Sequence, residues 1–252
     1  MKLLIVIGTR PEAIKLMPVI QMAKQKGFET LVCSTGQHRE MLTQTMDSLG
    51  IKADVDLKVM HEGATLSSVS GRIIEGVANI IKDYQPDWVL VQGDTTSACA
   101  AGLAAFYNRV KLAHIEAGLR SFDKYNPYPE EVNRKVIAAF ADLHFPPTEV
   151  AKQNLLNEKI DQSKIILTGN TVMDTLEIMK FRIDSIPQPK YLDVSKKIIL
   201  VTSHRRENYG SGLQDICAAV KTLAAQYRDK NIEFVCPVHM NQNVQKPVME
   251  ML

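Results

Sequence analysis

Two acidic residues in this chain follow apolar runs and a third opens a helix, and cations stand near them in sequence, the set needed to move protons on a charged substrate. Asp94 follows Val89–Val91 in VLVQGDTTS, Glu116 follows Leu112–Ile115 in LAHIEAGLRS, and Glu130 opens a helical run in NPYPEEVNR. Arg10 and Lys15 belong to GTRPEAIK, and His204 and Arg205 to VTSHRREN. Positioned carboxylates act as general acids and bases, and fixed cations stabilise a phosphate. Each segment also has a plainer reading. Asp94 or Thr95 is a candidate helix N-cap, Glu116 and Arg120 are spaced for a surface ion pair, and Glu130–Glu131 suit a helix dipole. Together they suggest acid/base chemistry on a phosphorylated substrate.

The cation pair sits on the most informative segment, LLIVIGTRPEAIKLMP. Leu3–Ile7 is a continuous aliphatic run, the pattern of a parallel strand covered on both faces. Gly8 permits a sharp turn and Pro11 suits the first helical position. Free backbone donors at that helix start, with Arg10 and Lys15 alongside, make a seat for a diphosphate, or else the two cations are an ordinary solvated pair. Other chemistries fail on spacing. His114-x-Glu116 is not followed by P-C-x-x-C, and H-E-x-x-H, G-x-S-x-G, Walker A and G-x-G-x-x-G are all missing. No metal site is expected. His38, His61 and His144 receive no role, and His239 is either a cleft residue or an ordinary loop histidine.

These groups need a scaffold that gathers strand ends. Strands are predicted at Leu3–Ile7, Glu29–Cys33, Asp87–Val91, Lys111–Ile115 and Lys164–Leu167. Helices are predicted at Glu12–Lys26, Leu66–Lys82, Thr96–Tyr107, Glu130–Ala141 and Thr148–Leu156. The alternation argues for an α/β fold with a parallel sheet covered on both faces, whose strand C-termini bind ligands. Residues 1–182 form one Rossmann-like domain, 183–195 a proline-bearing linker, and 196–252 the start of a second domain. That second part offers strands at Lys197–Thr202 and Ile232–Pro237, a helix at Leu213–Tyr227 and a last helix from Asn241. Two strands cannot cover themselves, so the chain reads as truncated inside a larger domain, with exposed apolar area expected around Ile198, Val235 and Val248.

Composition is that of an ordinary globular protein, with 252 residues, 45% apolar and 23% charged, and a net charge of +2. That balance gives no reason to expect nucleic acid as a partner. The apolar run before Gly8 is too short for a signal peptide and none reaches membrane-span length. Four scattered cysteines, Cys33, Cys99, Cys217 and Cys236, read as buried free thiols in a reducing cytoplasm.

In chain order, GTRPEAIK (Gly8–Lys15), GDTT (Gly93–Thr96), HIEAGLR (His114–Arg120), PYPEEVNR (Pro127–Arg134), TGNT (Thr168–Thr171) and TSHRRE (Thr202–Glu207) resemble the non-hydrolysing UDP-N-acetylglucosamine 2-epimerases. The likeness covers essentially the whole chain. It implies a glycosyltransferase-B-type fold of two Rossmann-like domains, a UDP-sugar substrate, a homodimer, and no metal or nicotinamide cofactor. It also implies reversible interconversion of UDP-N-acetylglucosamine and UDP-N-acetylmannosamine by elimination and re-addition of UDP, in the service of cell-surface polysaccharide synthesis. Asp94, Glu116, Glu130 and His204 are then the catalytic candidates, with Arg10, Lys15, Arg205, Gln37 and His239 binding substrate. Bacterial members are activated by their own substrate at an adjacent site, matched here by Gln37, Glu130, Arg205 and His239. Glu40 and Gly63 depart from one form of that site, where glutamine and arginine occur. A hydrolysing epimerase is one alternative; an inactive remnant is another, because the family's UDP-holding serine/glutamate segment is not in this sequence.

Overall fold

The computed structural model describes residues 1–36, 39–183, 189, 192–203, 210–238 and 241–252, without the side chains of 39–41 and 243. The chain divides into two compact units, Met1–Asp184 and Ser185–Leu252. In the first, strands β1 (Lys2–Ile7), β2 (Glu29–Ser34), β3 (Val55–Asp56), β4 (Trp88–Gln92), β5 (Lys111–Ile115) and β6 (Leu143–Phe145) alternate with helices. These are α1 (Arg10–Gln25), α2 (Arg39–Leu49), α3 (Leu66–Tyr84), α4 (Thr96–Tyr107), α5 (Glu130–Phe140), α6 (Glu149–Asn157) and α7 (Val172–Lys180). All sheet pairs are parallel, in the order β3-β2-β1-β4-β5-β6. The order reverses between β1 and β4, so the loops leaving those strands diverge and open a crevice at their C-terminal ends.

Alternation along β1 explains why its sequence is aliphatic throughout. Leu4 and Val6 pack with Ile73 and Val77 of α3 and the alanines of α4. Leu3, Ile5 and Ile7 pack on the other face with Leu16, Met17 and Ile20 of α1 and Leu42 and Met46 of α2. Burying each Leu or Ile is worth about 1.5–3 kcal/mol, so both faces hold the strand in place. Helix α4 buries Ala98, Ala100, Ala101, Ala104 and Ala105, small residues that let it lie close to the sheet.

That closeness accounts for Gly8. A Cβ on Gly8 would fall 2.1 Å from Ser97 Oγ and 2.3 Å from Ser97 Cβ. Glycine is required here by the approach of the first turn of α4, and not by the sharp backbone turn expected from sequence.

Three expectations change. The strand predicted at Lys164–Leu167 does not form: Gln162–Lys164 is a 3-10 turn and Ile165 makes a single parallel bridge to His144. The edge strand is instead β6, three residues long and centred on a histidine, too short to show a pattern. Helices α2 and α7 and the two-residue β3 were not anticipated. In the second unit, β7 (Lys197–Leu200), α8 (Ser211–Gln226), β8 (Ile232–Val235) and α9 (Gln242–Met251) leave Ile198 and Ile199 exposed. Val248, however, is buried with Leu213, Cys217 and Val244 between α8 and α9, and Val235 is half-buried. About half of the expected linker, 183–195, lies outside the described residues.

Two buried histidines face each other across β5 and β6, where His114 pairs in register with His144. Burial pushes His114 down to about 3 and His144 down to about 4. Burial acts oppositely on Glu12, raised to about 7.

Two outcomes follow for stability, both readable through Trp88, the single tryptophan, in β4. Gly8→Ala should destabilise the first unit by about 1–3 kcal/mol through overpacking, and Ser97→Gly should recover part of that loss. A Gly8→Ala chain with an unchanged urea midpoint contradicts the close-approach argument. On acidification, the unfolded chain gains a proton at each histidine that the fold excludes, while the fold alone holds a proton at Glu12. Two against one, less the proton that the raised Asp94 carboxyl keeps in the fold, leaves a net uptake of at most about one proton on unfolding between pH 6.5 and 4.5. Stability should therefore fall with decreasing pH by at most about 1.4 kcal/mol per unit. His114→Gln should flatten the slope, and a midpoint that rises on acidification contradicts the balance.

Candidate functional site

Of the polar groups singled out from sequence, Lys15, Asp94, Glu116 and Glu130 meet at the C-terminal ends of β1, β4 and β5. Glu116 follows β5 directly, in a left-handed conformation with φ +63° that costs a non-glycine residue about 1–2 kcal/mol. Its carboxylate accepts from Lys15 Nζ of α1 at 2.7 and 2.5 Å, from Asn170 Nδ2 at 2.9 Å, and from the Gln92 side-chain amide at the end of β4. Three elements therefore hold the strained residue. The Glu116–Arg120 surface pair does not form, because Arg120 binds Glu158 at 2.7 and 2.6 Å.

Asp94 sits one turn beyond β4. Helix α4 is capped by Thr95, whose hydroxyl accepts from Ala98 N at 3.0 Å, so Asp94 is left free of the capping role. It pairs instead with Arg134 of α5 at 2.6 Å, while Asn133 Nδ2 donates to the Asp94 carbonyl at 2.9 Å. Burial holds the Asp94 carboxyl above the usual range against the pull of Arg134, and the charges of Glu130 and Glu116 add to the rise. A carboxyl raised in this way exchanges protons nearer neutral pH.

The adjacent acids of α5 divide their roles. Glu131 is buried and accepts from Ser121 N at 2.9 Å and Phe122 N at 3.1 Å, fixing the loop that follows β5. Although burial opposes it, those bonds hold the Glu131 carboxyl below its usual range. Glu130 is half-buried and close enough to Asp94 to raise its pKa; among the described residues its side chain makes no hydrogen bond or ion pair.

The anion seat is altered. Arg10 is exposed at the start of α1, but Lys15 is engaged with Glu116. Glu12 accepts from Gly8 N at 3.1 Å and from the Thr9 backbone, so these amides serve the chain's own carboxylate. Pro11 has no N–H, which leaves Arg10 and Glu12 as the first-turn donors of α1. Gln37, His204, Arg205 and His239 lie outside the described residues, as does Glu40's side chain; Gly63 is exposed at φ +71°.

Sequence reasoning missed Glu12, Gln92, Asn133, Arg134 and Asn170 as site residues. Four of them stand inside the quoted motifs, and Thr9-x-x-Glu12 is a capping-box spacing, a signal that was present. Gln92 carries no such mark. His114, whose Nε2 lies 2.7 Å from the Gly93 carbonyl, is a buried neutral support and not an acid. Among the described residues no group of His, Cys, Asp and Glu could hold a metal ion, and no helix is long and apolar enough to cross a membrane. A cavity of about 600 Å³ between α2 and the ends of β2 and β3 holds none of these carboxylates.

Comparison with known proteins agrees with this geometry. The family model described as UDP-N-acetylglucosamine 2-epimerase matches residues 20–252. The UDP-N-acetylglucosamine 2-epimerase of Escherichia coli K12 is 46% identical over 261 aligned positions, covering 100% of this chain and 69% of that relative. The crystal structure of UDP-GlcNAc 2-epimerase from Neisseria meningitidis bound to UDP-GlcNAc superposes with TM-score 0.89 at 44% identity, over 100% of this chain and 70% of that one. The S. aureus MnaA co-structure with UDP superposes with TM-score 0.87 at 42% identity, over 99% of this chain and 66% of that one. With its carboxylates gathered at the strand ends and its whole length matched by these relatives, the chain belongs to the UDP-N-acetylglucosamine 2-epimerase family.

Proposed function

We propose that the protein interconverts UDP-N-acetylglucosamine and UDP-N-acetylmannosamine without hydrolysing them. The observation that carries this reading is the convergence of Asp94, Glu116 and Glu130 on one crevice, with Lys15 and Arg134 countering two of the charges. The proton at C2 of the sugar is not beside a carbonyl, so inversion there needs a route other than an enolate. Loss of that proton to a carboxylate, with cleavage of the C1–O bond and departure of UDP, yields 2-acetamidoglucal. Return of the same UDP oxygen to C1 and delivery of a proton to the opposite face of C2 restores the bond with inverted configuration. Two-faced proton transfer requires more than one acid/base group, and the raised Asp94 carboxyl is suited to one of those roles.

Relatives crystallised with UDP-GlcNAc and UDP support a UDP-sugar as the ligand. In this reading Arg10, with His204, holds the departing diphosphate, and Arg205, Gln37 and His239 complete the contacts, including an activating second molecule of substrate. Lys15 acts by holding Glu116 beside the diphosphate seat. The working form is a cytoplasmic homodimer.

Incubation with UDP-N-acetylglucosamine in D2O, followed by NMR, tests the reaction. UDP-N-acetylmannosamine carrying deuterium at C2 is the expected product. Free N-acetylmannosamine with UDP would select the hydrolysing alternative, and no conversion would select the inactive remnant. Asp94→Asn, Glu116→Gln and Glu130→Gln should each lower turnover by about 10²-fold or more with little change in KM. Full activity of Glu116→Gln would remove that residue from the mechanism.

A further inference from the structure

Glu12 is a fully buried acid that the reaction outlined above does not use. It lies in the first turn of α1, at the third helical position, and its carboxylate reaches backward and sideways at once. Backward, it accepts from Gly8 N at 3.1 Å and from the backbone and hydroxyl of Thr9. Sideways, it accepts from Thr95 Oγ1 at 2.9 Å. The Thr95 hydroxyl accepts from Ala98 N at 3.0 Å, which directs its own proton toward Glu12. One carboxylate thus joins the turn that leaves β1 to the turn that leaves β4.

Those two turns carry different parts of the site. The β1 turn presents Arg10, and the residue before Thr95 is Asp94. They diverge at the point where the sheet order reverses, so the sheet's own hydrogen bonds do not set the gap between them. Backbone pairing between β1 and β4 runs through Leu3–Ile5 against Trp88–Leu90 and stops short of both turns. Beyond it, cross-links near this gap are the Glu12–Thr95 bond and the Thr35–Ser97 hydroxyl pair at 2.9 Å.

We propose that Glu12 is a positioning residue for Asp94, tying the β4–α4 turn to the β1–α1 turn so that the catalytic carboxyl keeps its place relative to Arg10. The role rests on the epimerase reading for its consequence in turnover and on the hydrogen bonds alone for its consequence in structure. Chemically, the tether is best made by an acceptor-only group, which Glu12 is when ionised, above about pH 7. An amide at this position must turn its NH2 toward either the backbone donors or the Thr95 hydroxyl, and a buried donor facing a donor is costly. The groups facing the carboxylate, Gly8, Thr9 and Thr95, carry no charge, so no ion pair substitutes for these bonds.

The test compares the intact chain with Glu12→Gln, Thr95→Val and Thr95→Ser. Turnover and KM for UDP-N-acetylglucosamine are measured per folded molecule, and amide hydrogen exchange is followed through residues 93–98. Glu12→Gln and Thr95→Val should lower kcat by about 10- to 100-fold, the scale for a small misplacement of a reacting group. KM should stay within about threefold if the binding groups are undisturbed, and exchange through 93–98 should accelerate. Thr95→Ser, which keeps both hydrogen bonds, should restore kcat and exchange to the parent values. If Glu12→Gln does not fold, Thr95→Val against Thr95→Ser carries the comparison. Unchanged kcat and unchanged exchange in either tether-breaking variant overturn the proposal, as does a kcat loss matched by the folded fraction alone. A parent chain that does not epimerise refutes the functional reading instead, and the exchange data then decide the tether.

Discussion

The contact between Glu116 and its three donors is the constraint around which the rest of this site is arranged. A glutamate in the left-handed region after β5 persists only if its surroundings hold it there. Lys15 reaches it from α1, Gln92 from the end of β4 and Asn170 from the segment before α7. The donors come from three separate places in the first unit: a helix after β1, the end of β4 itself and the segment that follows β6. The strain at Glu116 is therefore balanced only after β1, β4 and β5 have paired in parallel and their helices have packed.

The same dependence runs through the second carboxylate. Asp94 is buried enough to raise its pKa, and a charge so placed needs a partner. Arg134 provides it from α5, and Asn133 steadies the Asp94 backbone from the same turn. Helix α5 is itself seated by Glu131, which binds the backbone of the loop leaving β5. Arg134, Asn133 and Glu131 thus set the positions of the acids proposed to transfer protons. The neighbouring charges of Glu130 and Glu116 push the Asp94 carboxyl in the direction that acid/base work requires.

Small residues and buried polar groups perform complementary tasks in bringing these loops together. Glycine at position 8 and the alanines of α4 bring the exit of β1 against the start of α4. Close approach removes water from Glu12, which raises its pKa, yet the same approach supplies the donors that make the carboxylate a cross-link. Apolar packing sets the coarse positions of the turns, and directional bonds set the fine ones.

Much of this was determined by sequence alone. The aliphatic run at Leu3–Ile7 reported a buried parallel strand because residues covered on both faces are apolar throughout. The acids Asp94, Glu116 and Glu130 were legible because each follows a strand or opens a helix, where an α/β sheet presents ligand groups. What the tertiary structure decided is which partner each group takes. Glu116 and Arg120 are four residues apart and could have paired, but the left-handed turn sends Glu116 toward Lys15, 101 residues away. Thr95 and not Asp94 caps α4, and of two adjacent acids Glu131 is consumed by the loop while Glu130 remains at the site. The edge strand at Leu143–Phe145 and the failed strand after Lys164 were undecidable locally, since three residues carry no periodicity and their pairing is fixed by β5. Local pattern reports which face of an element is buried, but the choice among possible polar partners is made by long-range geometry that no short window of sequence contains.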